Sequence, residues 1–293
     1  MKEKERAFKI VTDSGCDMPK DYYSSHGVDC LSLGFAMEGV SYGGVDGKGI
    51  EEKEFYERLR GGAMPTTYQV SVEEAKSRIE PYLKANRDVL CVSFSSGLSG
   101  THDSFLVAAK ELQKKYPKRK IVVVDSLCAS MGEGLLLDYI LKKADSGASI
   151  EETAAYAKEL RLHILHSFTV DNLFHLKRGG RVSSMTAIVG SILKIKPVMH
   201  VDDNGKLVVV SKAMGRKKAL ATMIENLLEL AEVEEDDPFF ISHGDVIEDA
   251  EFVKQAILKK YPRARIEINY IGAVIGSHAG AGTVAVFCKG KHR

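Results

Sequence analysis

Short apolar runs that each end in a small polar cluster are the feature that most constrains this chain. The runs FKIVTDS, VLCVSFSS and IVVVDS are separated by longer stretches in which apolar residues recur at helical spacing. This alternation is typical of parallel βαβ units, in which each strand is buried and a helix returns the chain to the sheet. Helices are predicted from Thr101 to Tyr116, from Leu135 to Leu141 and from Ala154 to Leu162. The first half is therefore predicted to form an open, mainly parallel sheet covered by helices.

The pattern changes after about His163. A second α/β unit is predicted from the run HSFTV and from a hairpin signal, DDNG, between PVMHV and KLVVVS. Two helical stretches and the apolar runs PFFISHGD, RIEINYI and TVAVFCKG complete this unit. The chain has 293 residues, 44% of them hydrophobic, which is enough to build two domains of ordinary size. We expect an N-terminal α/β domain over residues 1–163 and a C-terminal α/β domain over residues 164–293, with no long linker between them.

Charge and composition exclude several classes of protein. With 41 Lys and Arg against 40 Asp and Glu, the net charge of +1 supplies no field for a polyanion, so nucleic-acid binding is disfavoured. The amino terminus lacks a secretory apolar segment, and no stretch approaches the ~18 uncharged apolar residues of a membrane span. The five cysteines form no C-x-x-C pair and are expected to be reduced thiols. We expect a cytoplasmic protein that is not membrane-integral, with at most transient membrane contact.

The segment FSSGLSGT, from Phe94 to Thr101, is the most informative polar cluster. Its two glycines and three serines lie between a predicted strand and a predicted helix, where backbone N–H groups and hydroxyls suit an anion. It matches neither G-x-G-x-x-G nor a phosphate loop, so a small anion such as a carboxylate fits better than a nucleotide. No cofactor is therefore expected. The clusters VTDS and VDS are more simply interpreted as caps of the helices that follow them, and a ligand site is the alternative that the sequence leaves open.

The glycine-rich segment IGAVIGSHAGAG presents a single imidazole, His278, at a predicted turn. We interpret His278 as a functional residue, because the turn contains few other groups with which the ring could form hydrogen bonds. His243 and His278 lack the spacing of metal ligands, so no metal site is predicted. Ser99 does not fit G-x-S-x-G, and no catalytic residue is assigned. The alternative is an enzyme, a hydrolase or transferase acting on a small anionic substrate, with Ser96 and His278 in acid–base or nucleophilic roles.

Seven separated motifs resemble those of the DegV family of fatty-acid-binding proteins. They are, in order, VTDSGCDMP, PTTYQVS, FSSGLSGT, VDS, LFHLKRGGRVSS, GRKKAL and IGAVIGSHAGAG. The resemblance implies a long acyl chain in a tunnel between two α/β domains. It also implies that, as in some members of the family, the chain is the binding subunit of a bacterial fatty acid kinase. The partner kinase, and not this chain, would then phosphorylate the carboxylate.

The same resemblance assigns the residues that hold the fatty acid carboxylate. These are Thr67 of PTTYQVS, Ser96 of FSSGLSGT and His278. Further candidates for ligand contacts are Thr66, Ser95 and Gly97. Because these motif residues include neither Lys nor Arg, we expect an uncharged cradle for the carboxylate. The tail would supply the affinity, at about 0.8 kcal/mol for each buried CH₂.

Two basic motifs resemble the family's surface for the kinase subunit. They place Arg181 of KRGGR and Arg216 of GRKK near the mouth of the site, and a solvated basic face is the alternative interpretation. The chain also departs from the family in two motifs: Met214 stands where many relatives carry an additional arginine ahead of the R-K-K run, and the second departure lies in PTTYQVS. Tyr68 and Val70 stand where the family usually has serine and proline, which is expected to reshape the head-group end.

Overall fold

The computed structural model describes residues 6–44, 47–171, 173–182, 195–234 and 237–293. The strands are β1 (Phe8–Asp13), β2 (Asp29–Leu31), β3 (Gly34–Met37), β4 (Val40–Gly43), β5 (Thr66–Tyr68), β6 (Asp88–Ser93), β7 (Ile121–Asp125), β8 (Ile164–Thr169), β9 (Ile195–Val201), β10 (Leu207–Met214), β11 (Pro238–His243), β12 (Arg265–Tyr270) and β13 (Val284–Lys289). The α-helices are α1 (Lys20–Ser25), α2 (Glu52–Arg60), α3 (Val72–Lys84), α4 (Thr101–Lys115), α5 (Met131–Asp145), α6 (Ile150–Leu160), α7 (Phe174–Arg178), α8 (Arg216–Leu230), α9 (Ile247–Lys260) and α10 (Ala273–Ala279). The predicted α/β class is confirmed.

The first sheet has the strand order β2-β1-β6-β7, and every pairing in it is parallel. Side chains alternate between its two faces, as strand geometry requires. Phe8 and Ile10 join the core that contains α5 and α6, whereas Val11 joins the core that contains α3 and α4. The mainly parallel sheet predicted for the first half is therefore confirmed.

The second sheet has the order β10-β9-β8-β13-β11-β12, with a parallel β11–β12 pair and otherwise antiparallel neighbours. Its strands begin at Ile164, directly after the expected domain boundary. Val284 and Val286 face a core formed with α8 and α9, whereas Ala285 and Phe287 face the opposite way. Helix α5 packs on that opposite, inner face and is buried along most of its length. This helix therefore lies between the two large sheets.

A third, small sheet of order β4-β3-β5 is antiparallel and was not predicted. It pairs Phe35 with Thr67 and Gly34 with Tyr68. Phe35 packs with Phe55 of α2 in a small aromatic cluster. The sheet matters for the site because it fixes the position of Thr67.

The segment around His278 is a helix, α10, so the predicted turn was wrong. Gly276 lies inside this helix, and a side chain there would meet the ring atoms of Phe55 and Tyr56. Gly276 therefore allows α10 to pack closely against these two rings and does not form a turn. Gly280 ends the helix with φ of +84°, which is the conformation that favours glycine. Within the described residues, no helix has both the length and the apolar character needed to cross a bilayer.

Candidate functional site

A cavity of about 300 Å³ lies between the carboxyl edge of the parallel sheet and the inner face of the six-stranded sheet. Loops that follow β2, β6 and β7 form one wall, as expected for ligand sites of open α/β sheets. The apolar residues of the wall are Leu33, Phe94, Leu98, Ala129, Phe168, Leu176, Val201, Leu207, Ile271, Val274, Ile275, Ala279, Ala285 and Phe287. The volume of the cavity is at the lower end of the range for small-molecule pockets, roughly 300–1,000 Å³. The wall suits a largely hydrocarbon ligand.

Two of the three predicted carboxylate-holding residues meet in this wall. Thr67 Oγ1 lies 2.7 Å from His278 Nε2, although the two residues are 211 positions apart in the chain. Strand β5 carries the threonine and helix α10 carries the histidine. The other ring nitrogen, Nδ1 of His278, is buried and has no hydrogen-bond partner. The fold thus assembles a hydroxyl–imidazole pair at the cavity.

The imidazole of His278 is uncharged at neutral pH. Burial lowers its pKa, and the positive charges of Arg181 and Arg178 and the neighbouring His175 lower it further, to about 4. A neutral imidazole has one N–H donor and one acceptor nitrogen, so the ring can donate in only one direction.

Arg181 also lines the cavity, so a positive charge adjoins the cradle that the sequence predicts to be uncharged. Its Nε donates to the carbonyl of Leu98 at 3.1 Å, and its Nη1 donates to the carbonyl of Gly179 at 2.5 Å. These two carbonyls hold the guanidinium in the wall, between the glycine-rich loop and the segment after α7. A cation is therefore available to an anionic head group at the end of the cavity where Thr67 and His278 lie.

Ser96 is not brought to Thr67 and His278. It is exposed, its backbone N–H donates to Asp125 Oδ1 at 3.1 Å, and it does not line the cavity. The reason is a turn in which the Leu98 N–H donates to the Ser95 carbonyl and directs Ser96 outward. The serine of this loop that lines the cavity is Ser99.

The other candidate ligand contacts also lie outside the lining of the cavity. Thr66 is exposed, because it neighbours Thr67 on a strand and points to the opposite face. Ser95 is buried and donates to the carbonyl of Gly205 at 2.8 Å. Gly97 packs against the same turn, where a side chain would meet the backbone of Asn204 and Gly205.

Arg216 likewise lies outside the cavity lining. Its Nε donates to Asp249 Oδ2 at 2.8 Å, and its Nη2 donates to the carbonyl of Gly282 at 2.5 Å. A second carboxylate, that of Asp171, lies 3.9 Å away. This arginine is thus half-buried and paired within its own half of the chain.

Three buried polar residues of the wall were missed by sequence reasoning, and one of them, Thr283, follows α10. His166 and Ser130 both line the cavity and are buried. Ser130 adopts φ of +54° and donates to Asp17 Oδ2 at 2.5 Å. Asp17 also accepts a hydrogen bond from the N–H of Gly272, the residue before α10, and burial raises its pKa to about 7. No sequence motif singles out these residues, because their roles arise from contacts between distant segments.

Asp13 of VTDS acts as a cap, which settles one alternative left open by the sequence. Its carboxylate accepts hydrogen bonds from the N–H of Gly15 at 2.9 Å and from the N–H of Phe94 at 2.8 Å. His243 is similarly structural, since its Nδ1 accepts from the N–H of Val246 at 3.1 Å. Across the described parts of the chain, no group of three or more His, Cys, Asp or Glu side chains is placed to hold a metal ion.

Comparison with known proteins identifies the family. A sequence profile described as "Uncharacterised protein, DegV family" matches residues 7–291. The chain belongs to the DegV family. A DegV domain-containing protein of Clostridium perfringens is 42% identical over 286 residues, which cover 97% of this chain and 98% of that protein. The resemblance of the seven motifs is thereby confirmed.

Solved structures of DegV proteins share the fold over nearly the whole chain. A DegV lipid-binding protein from Thermotoga maritima is 32% identical, with a TM-score of 0.83 and coverage of 98% of this chain and 99% of that one. A DegV family protein from Thermus thermophilus, described as binding fatty acid, is 30% identical with a TM-score of 0.87. That comparison covers 98% of this chain and 100% of the Thermus chain. Relatives of this chain are therefore lipid-binding proteins with the same architecture.

Proposed function

We propose that this DegV protein binds a long-chain fatty acid in the cavity between its two large sheets. The carboxylate would lie at Thr67 and His278, and the tail would run along the inner face of the six-stranded sheet. The observation that carries the proposal is an apolar cavity that ends at a hydroxyl–imidazole pair. The fatty acid binding described for the Thermus relative supports it.

The tail would supply most of the affinity. Burial of each CH₂ stabilises by about 0.8 kcal/mol, so a sixteen-carbon chain gains on the order of 10 kcal/mol before association and ordering are subtracted. Phe168, Ala285 and Phe287 are inner-face residues that such a tail would contact. The head group would then fix orientation more than affinity.

For the carboxylate, we propose Ser99 as the hydroxyl of the glycine-rich loop, in place of Ser96. Ser99 Oγ accepts a hydrogen bond from the N–H of Thr101 at 3.2 Å and lies 3.0 Å from Thr101 Oγ1. Thr101 Oγ1 itself accepts from the N–H of Val70 at 3.4 Å, so its hydrogen can point to Ser99. Ser99 would then donate its own hydrogen to a carboxylate. Arg181 would add a positive charge to the same end of the cavity.

We further propose that the bound carboxylate is phosphorylated by a partner fatty acid kinase in the cytoplasm and that this chain is a carrier with no catalysis of its own. The sequence has no phosphate loop or nucleotide motif, which supports a division of labour between two subunits. Arg181 and the basic segment that begins at Arg216 would lie toward the kinase. Because Arg216 is already paired with Asp249, its contribution would be to stabilise the conformation of that surface.

Mass spectrometry of organic extracts from the purified protein tests fatty acid binding. A stoichiometric acyl chain is expected, and a protein that carries none and binds none when palmitate is added would favour the enzyme alternative. Thr67→Val with Thr66→Val as the matched control separates the cavity hydroxyl from its exposed neighbour. We expect the Thr67 variant to bind palmitate about tenfold more weakly, as for one lost hydrogen bond to a charged group, and the Thr66 variant to bind normally.

Addition of ATP tests the kinase proposal separately. The purified chain alone should not form acyl phosphate, and a candidate kinase subunit should form it only when this chain is present. Acyl phosphate made by the chain alone and abolished in Ser99→Ala would contradict the carrier role.

A further inference from the structure

The backbone conformation of Gly179 does not require a glycine at this position. It follows the last residue of α7 and has φ of −77° and ψ of −8°, which any residue adopts. The next residue, Gly180, has φ of +69° and a backbone that does favour glycine. The two adjacent glycines are therefore required by different features of the structure.

The imidazole of His278 occupies the space beside Gly179. A Cβ atom added to Gly179 would lie 2.8 Å from Cε1 of that ring and 3.2 Å from Cγ, and closer still to Nδ1. Real Cβ atoms essentially never approach a neighbour within 3.0 Å, so the ring would have to move. Rotation of the ring is the easiest relief, and it would carry Nε2 away from Thr67. A Cβ added at Gly180 would meet nothing within 4 Å.

Neighbouring hydrogen bonds hold this arrangement in place. Arg178 Nη2 donates to the carbonyl of Ser277 at 3.2 Å and to the carbonyl of Pro65 at 2.9 Å. These bonds connect the end of α7 to α10 and to the segment that leads into β5. Gly179, His278 and Thr67 are therefore carried by three segments that are tied together, so backbone movement cannot easily relieve a clash.

The lack of a partner at Nδ1 determines where the ring carries its proton. A buried N–H without an acceptor is rarer in proteins than a buried lone pair without a donor. We therefore expect the proton on Nε2, in which case Nε2–H donates to Thr67 Oγ1, which lies 2.7 Å away. The hydroxyl hydrogen of Thr67 is then directed elsewhere. An ionised carboxylate only accepts hydrogen bonds, so a hydroxyl oriented in this way matches it.

We propose that Gly179 is a positioning residue for the head-group site, which holds the ring of His278 in place so that Thr67 presents a hydrogen-bond donor to the ligand carboxylate. His278 acts in this scheme through Thr67. The inference rests on the proposed binding of a fatty acid in this cavity. It adds the specificity of the site, which would favour an ionised carboxylate over a neutral alcohol of the same chain length.

Gly179→Ala, with Gly180→Ala as the matched control, tests this proposal. Calorimetry with palmitate and with hexadecanol should show that Gly179→Ala weakens palmitate binding about tenfold and hexadecanol binding much less. Gly180→Ala should lower the melting temperature, because its φ is positive, and should keep the preference for palmitate. In a His278→Ala background, Gly179→Ala should cause no further loss of affinity.

NMR of the His278 ring provides a measurement that does not need a ligand. In the unmodified protein the ring should be the Nε2–H tautomer and should resist protonation down to about pH 4, whereas in Gly179→Ala its pKa should move toward the ordinary histidine value. An Nδ1–H tautomer, or equal losses from Gly179→Ala with and without His278, would overturn the proposal. If palmitate does not bind to the unmodified protein, the proposed function fails, while the NMR result still decides the position of the ring.

Discussion

The two histidines that line the cavity use their ring nitrogens in opposite ways. His166 is fully buried, its Nδ1 lies 2.8 Å from the carbonyl of Ile164, and its Nε2 accepts from the N–H of Ala129 at 3.2 Å. Both nitrogens are therefore saturated by main chain. His278 bonds only to a side chain, Thr67, and leaves Nδ1 without a partner. The first ring is part of the scaffold, whereas the second has no hydrogen bond to the main chain.

Each ring is nevertheless seated against a glycine. A Cβ added to Gly132 would lie 2.8 Å from Cδ2 and Cε1 of His166, as one added to Gly179 would overlap His278. The difference lies in what the ring would lose by moving. Movement of His166 would leave a buried main-chain N–H unpaired, whereas movement of His278 would mainly disorient a hydroxyl. We therefore expect changes near His166 to affect folding and changes near His278 to affect recognition.

The largest expected effect comes from shortening the ligand tail. Octanoate has eight fewer CH₂ groups than palmitate, which corresponds to about 6 kcal/mol and an affinity loss of at least roughly a thousandfold. Calorimetry or displacement of a fluorescent fatty acid would measure it. The same ratio should hold in His278→Ala, because that change leaves the tail region intact. A loss below tenfold would show that the tail is not buried along the inner face.

Replacing His166 should have the next largest effect, and on stability. His166→Ala would remove a buried ring and leave the N–H of Ala129 without its acceptor, so the free energy of unfolding should fall by about 3 kcal/mol. Urea denaturation followed by circular dichroism would measure it. His278→Ala is the matched control and should change stability by less than about 1 kcal/mol. Equal destabilisation by both variants would contradict the conclusion that His166, and not His278, is required for folding.

Sequence reasoning predicted the scaffold because its signals are local. Buried strands such as β6 and β7 are continuous apolar runs, and α4 ends within one residue of its predicted end, just before Pro117. The small sheet β4-β3-β5 gave no such signal, because its strands are three or four residues long and one pairing joins segments about thirty residues apart. Short strands of that kind are stabilised by tertiary contacts more than by their own sequence.

The site could be predicted only where a motif carries its residues. Thr67 was found through resemblance to a family, and His278 through its own glycine-rich segment as well as through that resemblance, but periodicity alone did not connect the two. Ser96 was chosen over Ser99 because sequence does not reveal which serine of a turn faces inward. His166 could not be found, because its position in HSFTV is that of any strand residue and its role depends on the N–H of Ala129, which is 37 residues away.

Asp17 connects two parts of the cavity wall, the loop after β7 and helix α10, and its titration should be visible in the stability of the protein. It accepts hydrogen bonds from Ser130, next to the Ala129 loop, and from Gly272 at the start of α10. Burial raises its pKa to about 7, so the folded state holds a proton that the unfolded state has released above about pH 4. The stability contributed by this proton is present at low pH and is lost as the pH rises toward 7.

Asp17→Asn should remove that pH dependence while keeping an acceptor for Ser130. Between pH 5 and pH 8, the unmodified protein should lose about 2 kcal/mol more of its free energy of unfolding than the variant. Urea denaturation at the two pH values measures the difference. Glu52 and Asp13 are the other charged groups that raise the pKa of Asp17, so Glu52→Gln should shift the transition to lower pH. Parallel pH profiles for the unmodified protein and Asp17→Asn would contradict the role of Asp17.

The smallest expected effect is that of His278→Ala on palmitate affinity, at about tenfold, because one oriented hydrogen bond is set against an apolar gain of order 10 kcal/mol. The effect should be larger on the reaction than on binding. A fatty acid whose tail still enters the cavity but whose carboxylate is misdirected loses only about tenfold in affinity, yet it offers its oxygen atoms poorly to a kinase subunit. Phosphorylation in a coupled assay with such a subunit should therefore fall more than affinity does. If phosphorylation and affinity fell by the same factor, His278 would contribute only to affinity. The head-group region of the cavity would then do no more than the apolar region that holds the tail.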